Sequence, residues 1–253
     1  MASNVFGTPV TVEMLKEMPE YADEHVITRN DLANVALNLK NADGKDVRAR
    51  KYVEDMYKGF EGLECVLGLI YNATGALLRY VYAVDFYGFV APAPYPMFIE
   101  NGQWGAFLYV KYKSQEYGAA GCVVYRGYDL NGVQIDYFVG WDNKVGAQLS
   151  RYAEMGAEGA YNYNGKGFSQ LYPKVQDSGA QYTYLVKDGF FSTAIIGNDK
   201  MAARQPNYQV LQMACNVFGT PVREETMRGM AEYANKDTIM RQDLAEATVA
   251  MKN

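Results

Sequence analysis

Nucleophilic catalysis through serine or cysteine needs a base held against the nucleophile, most often histidine. The chain has one histidine, His25, in a segment that reads as a loop, and an internal repeat described below carries Asp237 at the equivalent place. His25 therefore reads as a solvated turn residue. Zinc needs clustered Cys and His, and Cys65, Cys122 and Cys215 show neither metal-ligand nor redox spacing, so no metal and no cofactor is expected. The glycine-dense stretches 118–121 and 156–167 match neither phosphate-cradling pattern and read as turns. Asp129, Asp136 and Asp142 fall in strand-turn contexts where exposure to solvent is the ordinary outcome. Aromatic rings are what remain. Phe86, Tyr87, Phe89, Tyr95, Tyr161 and Tyr163 lie in segments that read as loops. Rings so placed can stack on a sugar or enter a membrane interface, which makes a glycan or a lipid head group the expected ligand. The competing reading is that they cover the ends of a tyrosine-rich sandwich.

Bulk properties exclude several partners. With 49% hydrophobic and 21% charged residues the chain is of the ordinary globular class, and its 22 tyrosines and 24 glycines favour strands joined by tight turns. A net charge of -5 speaks against nucleic acid, whose backbone is bound by clustered lysine and arginine. Glu13, Lys16, Glu17, Glu20 and Asp23 leave no apolar signal core, and no run has the length of a transmembrane segment. The expectation is a cytoplasmic, non-enzymatic protein with reduced thiols. On that expectation the sequon at Asn72-Ala73-Thr74 carries no glycan.

The elements that must position the rings are organised around a repeat. Asn4-Val5-Phe6-Gly7-Thr8-Pro9-Val10 returns as Asn216-Val217-Phe218-Gly219-Thr220-Pro221-Val222, and Glu20-Tyr21-Ala22, Asp31-Leu32-Ala33 and Lys40-Asn41 recur in the same register up to Asn253. A period this long marks duplication of a module, unlike the short periods of solenoids. Thr8-Pro9 suggests an N-cap and first helical residue of a helix to about Met18, and Thr28 with Asp31 suggests a capping box before the apolar face Leu32, Val35, Ala36 and Leu39. A third helix from about Lys45 to Lys58 places Val47, Val53, Met56 and Phe60 on its apolar side. From Leu63 onward short apolar runs alternate with Gly, Asn, Asp and Pro. The run at 65–72 is expected to pair with that at 77–82, and a helix is expected over Gly146 to Met155. The predicted fold is α+β: a helical module at 1–61, an antiparallel β-sandwich at 62–199, a linker at 200–214 and a repeated C-terminal helical module at 215–253.

Val5-Phe6-Gly7-Thr8-Pro9, Leu69-Ile70-Tyr71-Asn72-Ala73-Thr74-Gly75, Pro94-Tyr95-Pro96, Ile99-Glu100-Asn101-Gly102-Gln103-Trp104-Gly105-Ala106-Phe107 and Ala120-Gly121-Cys122-Val123-Val124-Tyr125-Arg126 resemble the 23 kDa jasmonate-induced proteins of plants. The resemblance implies a plant protein of stress and defence and carries over no site residues. The strand ending in Asn-x-Thr-Gly is also similar to the β-sandwich of actinoporin-type pore formers and related lectins, which implies a glycan- or lipid-binding, membrane-active alternative. Two short helices need a surface to be stable. Residues 216–253 are therefore expected to drive homotypic assembly, with Phe218, Met230, Leu244 and Met251 in the contact.

Overall fold

The computed structural model describes residues 4–22, 26–129, 131–145, 150–162 and 167–177, together with strands at 184–187, 190–195 and 208–217. In chain order the elements are β1 (Val5–Phe6), α1 (Val12–Lys16), α2 (Arg29–Asn38), α3 (Lys45–Tyr57), β2 (Cys65–Ala73), β3 (Leu78–Tyr87), β4 (Phe89–Val90), β5 (Phe98–Ile99), β6 (Trp104–Val110), β7 (Ala119–Tyr128), β8 (Gln134–Asn143), β9 (Ser150–Ala157), α4 (Gly167–Gln176), β10 (Tyr184–Lys187), β11 (Phe190–Ile195) and β12 (Tyr208–Val217). One sheet has the order β1-β6-β2-β12-β11-β10, with β4 also paired to β6, and the other has the order β5-β3-β7-β8-β9.

Alternation along the strands builds the layers. On β2, Val66 and Ile70 enter the space between the sheets with Phe107, Tyr109, Val123, Tyr125, Val139 and Trp141. Cys65, Leu67, Leu69 and Tyr71 face the other way, against Leu15, Val35, Ala36, Ala49 and Val53 of the helices. Both faces of β2 are thus covered, which is why its sequence is a nearly unbroken apolar run. The outer face of the second sheet is covered in turn by α4, whose Leu171 and Val175 meet Phe86, Cys122, Val124 and Phe138.

Polar side chains fasten the helical module to the first sheet. Tyr71 donates its hydroxyl to Ala36 O, and Trp104 Nε1 donates to Lys40 O at 3.0 Å. Asn101 accepts from Gly75 N at 2.9 Å and donates to Leu32 O at 3.0 Å, while Gln103 Nε2 reaches Gly7 O at 2.8 Å. Lys45 is buried and donates to Gly102 O at 2.8 Å. Asn72 is also buried, its amide donating to Ala76 O and Ile99 O at 2.7 Å each, so the sequon serves a turn inside the fold.

The capping box at Thr28 forms as predicted, but other local expectations change. Helix α1 is capped by Thr11, whose hydroxyl accepts from Met14 N, and it ends at Lys16. On α3 the buried face runs through Lys45, Ala49, Val53 and Tyr57, and Val47, two residues off that four-residue spacing, is 63% exposed. The runs at 65–72 and 77–82 do not pair: β2 joins β6 and β12, and β3 joins β5 and β7 in the opposite sheet. Residues 150–157 form a strand, their buried Arg151 and Ala153 following a period of two. Tyr208–Val217, across the end of the expected linker and the start of the repeated module, is a strand antiparallel to β11 and parallel to β2, because β2 offers an unpaired side there. Phe218, Met230, Leu244 and Met251 lie outside the described residues, as does His25.

Candidate functional site

At the far end of the sandwich from Asn101 and Trp104, two crossings bring aromatic side chains together. Gly88 has φ +114, and a Cβ there would come within 2.4 Å of Val110 O. That conformation, open to glycine, carries the chain from β3 in one sheet to β4 in the other. Tyr87 thereby ends one sheet and Phe89 begins an edge strand of the other. The β6–β7 loop meets both. Tyr112 stacks on Phe89 with centroids 5.0 Å apart, and Tyr117 stacks on Tyr87 at 4.8 Å. The loop members of these pairs are open to solvent, Tyr112 by 41% and Tyr117 by 62%.

Helix α4 supplies a third side. Tyr172 meets Tyr87 edge-on at 5.6 Å and Phe86 at 5.0 Å, and its hydroxyl donates to Asp142 Oδ2 at 3.0 Å. Burial, with Asp142 beside it, pushes the Tyr172 phenol up, so the ring stays the donor in this bond. Asp142 is 1% exposed; Lys144 Nζ stands 3.4 Å from its Oδ2, and its Oδ1 has no hydrogen-bond partner. Exposed Lys113 and half-exposed Val145 complete the rim.

The arrangement offers ring faces and edges, hydroxyl groups and two ammonium groups at one end, with a carboxylate beneath. Cys65 and Cys122 are fully buried, and burial pushes both thiols up to about 12. Among the described residues no group of three His, Cys, Asp or Glu side chains is placed to hold a metal ion, and no helix is long and apolar enough to cross a membrane.

Of the rings singled out from sequence, Tyr87 and Phe89 stand at this rim. Phe86 is on β3 beneath α4, Tyr95 is inside the sandwich, and Tyr161 packs on Phe138 at 5.3 Å; all three are buried. Tyr163 lies outside the described residues. Tyr112, Tyr117 and Tyr172 were missed, although two tyrosines in the charged loop Lys111-Tyr112-Lys113-Ser114-Gln115-Glu116-Tyr117 are a visible signal. Asp136 and Asp142, expected in solvent, are buried under Arg126 and Tyr172, respectively.

A family model described as Nakanori-like protein matches residues 6–211. The 23 kDa jasmonate-induced protein of Hordeum vulgare is 38% identical over 162 residues, a span covering 64% of this chain and 76% of that relative. Among solved structures, the crystal structure of lipid binding protein Nakanori matches with a TM-score of 0.73 at 23% sequence identity, covering 84% of this chain and 99% of the other. At that identity the match establishes the fold.

Proposed function

Because the chain belongs to the Nakanori-like protein family, we propose that it is a non-enzymatic plant stress protein that binds a lipid surface through its aromatic end. The observation that carries the reading is the pair of stacks, Tyr87–Tyr117 and Phe89–Tyr112, whose loop members face solvent. Tyrosine suits a membrane interface because its ring enters the apolar boundary while its hydroxyl stays wet. Lys113, next to Tyr112 in the loop, and Lys144, beside Asp142, supply ammonium groups for head-group phosphates at the same end. The net charge of -5 gives anionic lipid no general attraction, so the ring contacts supply the affinity. A structural neighbour described as lipid binding supports the same reading.

Flotation with phosphatidylcholine vesicles tests it. The expected result is that the protein floats and that a Tyr112→Ala, Tyr117→Ala double variant loses about tenfold in vesicle partitioning. Equal flotation of the two would reject the site. The glycan alternative uses the same ring faces; it replaces the lipid reading if vesicles fail and a glycan array gives binding that Tyr117→Ala removes.

The recurrence of the front module in one register, identical over Asn4–Val10, supports a second role, homotypic assembly through residues 216–253, with Phe218, Met230, Leu244 and Met251 in the contact. A chain ending at Val217 keeps β12 and removes the repeat. Light scattering should then give fewer chains per particle than for the full chain, and an unchanged number of chains per particle excludes this role.

A further inference from the structure

The two places proposed above for contact lie at opposite ends of β2. Cys65 begins that strand opposite Val110, the last residue of β6, and its carbonyl accepts from Asn143 Nδ2 at 3.1 Å. The tyrosine loop leaves from Val110, so this is the aromatic end. Ala73 closes the strand opposite Asn216. Because β12 runs parallel to β2, the chain travels away from the aromatic end along all of β12 and reaches Val217 at the far pole, with α2 beside that strand. The nine residues of β2, at about 3.3 Å each, put roughly 30 Å between the two places. The repeat thus begins on the side facing away from any lipid surface held by Tyr112 and Tyr117.

The far pole has exposed apolar groups of its own. Tyr128 and Gln134 pair at the other end of β7 from Ala120, which stands opposite Tyr87, so the turn joining β7 to β8 belongs to this pole. Arg29, the first residue of α2, lies over the Tyr128 ring at 5.2 Å and donates from Nη1 to Asp129 O, tying the helix to the turn. Asp129 Oδ1 in turn accepts from Asn131 N at 2.9 Å and Val133 N at 2.7 Å. Val133 is 59% exposed, and Val26, just ahead of α2, is 71% exposed. Single exposed valines are ordinary on a protein surface; these two flank the pole from which an apolar segment departs. The repeat keeps Ile239, Leu244 and Met251 at the places of Ile27, Leu32 and Leu39, which pack on the core in the front module. It carries Arg223 and Met240 where Thr11 and Thr28 cap the front helices. Helices that keep an apolar side and lose both caps need a surface to lie on.

We propose that two copies join at these far poles and bridge two lipid surfaces, the repeat of each lying against Val26 and Val133 of the other while both aromatic ends face outward. A reciprocal contact of this kind closes at two copies and does not grow into a filament. It leaves the exposed rings of Tyr112 and Tyr117 uncovered in each copy. A contact along the flanks would instead set both aromatic ends on one membrane. The arrangement rests on both roles proposed above, lipid binding and assembly, and couples them across two membranes.

Phosphatidylcholine vesicles fixed to beads, mixed with fluorescent phosphatidylcholine vesicles and the full chain, read bridging as label recovered on the beads. The full chain is expected to recover label. The Tyr112→Ala, Tyr117→Ala double variant should lose it together with flotation. A Val26→Asp, Val133→Asp double variant should float like the parent, lose most of the label and give fewer chains per particle in light scattering. Both valines are exposed, and an unfolding midpoint close to the parent's shows that the fold is intact. The separate failures are distinguishable. A parent that does not float removes the lipid reading, one that floats as a single chain removes the assembly, and either removes the bridge with it. A parent that floats and assembles but recovers no label joins on one membrane, which overturns the bridge alone, as does full recovery of label by the Val26→Asp, Val133→Asp variant.

Discussion

The two ends of the sandwich use polar and aromatic residues in opposite ways. Around the start of β6, Asn72, Asn101, Gln103, Trp104 and Lys45 each reach a backbone carbonyl of another segment. Trp104 is fully buried against Tyr71, 4.9 Å away. Around the end of β6, Tyr112 and Tyr117 stack on one face and show the rest to solvent, above a carboxylate with an oxygen unsatisfied. A side chain whose partners all lie within the fold contributes stability. One that is held in place but left open is available to something outside. The Asn-Gly-Gln-Trp segment that carries the family resemblance is therefore architectural, and the surface proposed for binding lies at the opposite pole.

Breaking the first end should cost the most stability. Trp104→Ala removes a buried indole and its bond to Lys40 O, and is expected to lose about 3–5 kcal/mol in chemical denaturation. Asn72→Ala leaves the carbonyls of Ala76 and Ile99 without their donor, at about 1–3 kcal/mol by the same measurement. A gentler probe is alkaline pH. Burial raises the Cys65 and Cys122 thiols from 9.0 to about 12 and raises the Tyr71 phenol as well, so above pH 9.0 the unfolded chain holds fewer protons than the folded one. Their contribution is complete below pH 9.0 and falls as pH rises toward 12; a midpoint that climbs across this range on titration would contradict it. The smallest change is expected at the other end, where Tyr117→Ala should stay within about 0.5 kcal/mol of the parent. A loss as large as that of Asn72→Ala would make the exposed ring a structural one.

Much of the first end is legible in sequence because its rules are local. Thr28 and Asp31 are three residues apart and need nothing else to form a capping box, and the apolar run of β2 declares burial on both faces. The second end depends on contacts far apart in the chain. Tyr87 meets Tyr117 through the loop after β6, and Tyr172 joins them from α4. The punctuation around Phe86 and Tyr95 suggests loops; Gly88 instead marks a crossing between sheets, and the proline-rich segment holds Tyr95 inside. Strand β12 was hidden for the same reason. Its place beside β2 is set by a free strand edge over a hundred residues earlier, which no local pattern encodes.

Amide hydrogen exchange with and without phosphatidylcholine vesicles tests the division between the two ends most directly. The account predicts that vesicles slow exchange in the loop 111–118 and at residues 144–145, and leave residues 99–104 unchanged. Slowing confined to 99–104, or no slowing in 111–118 under conditions where the protein floats, would contradict it.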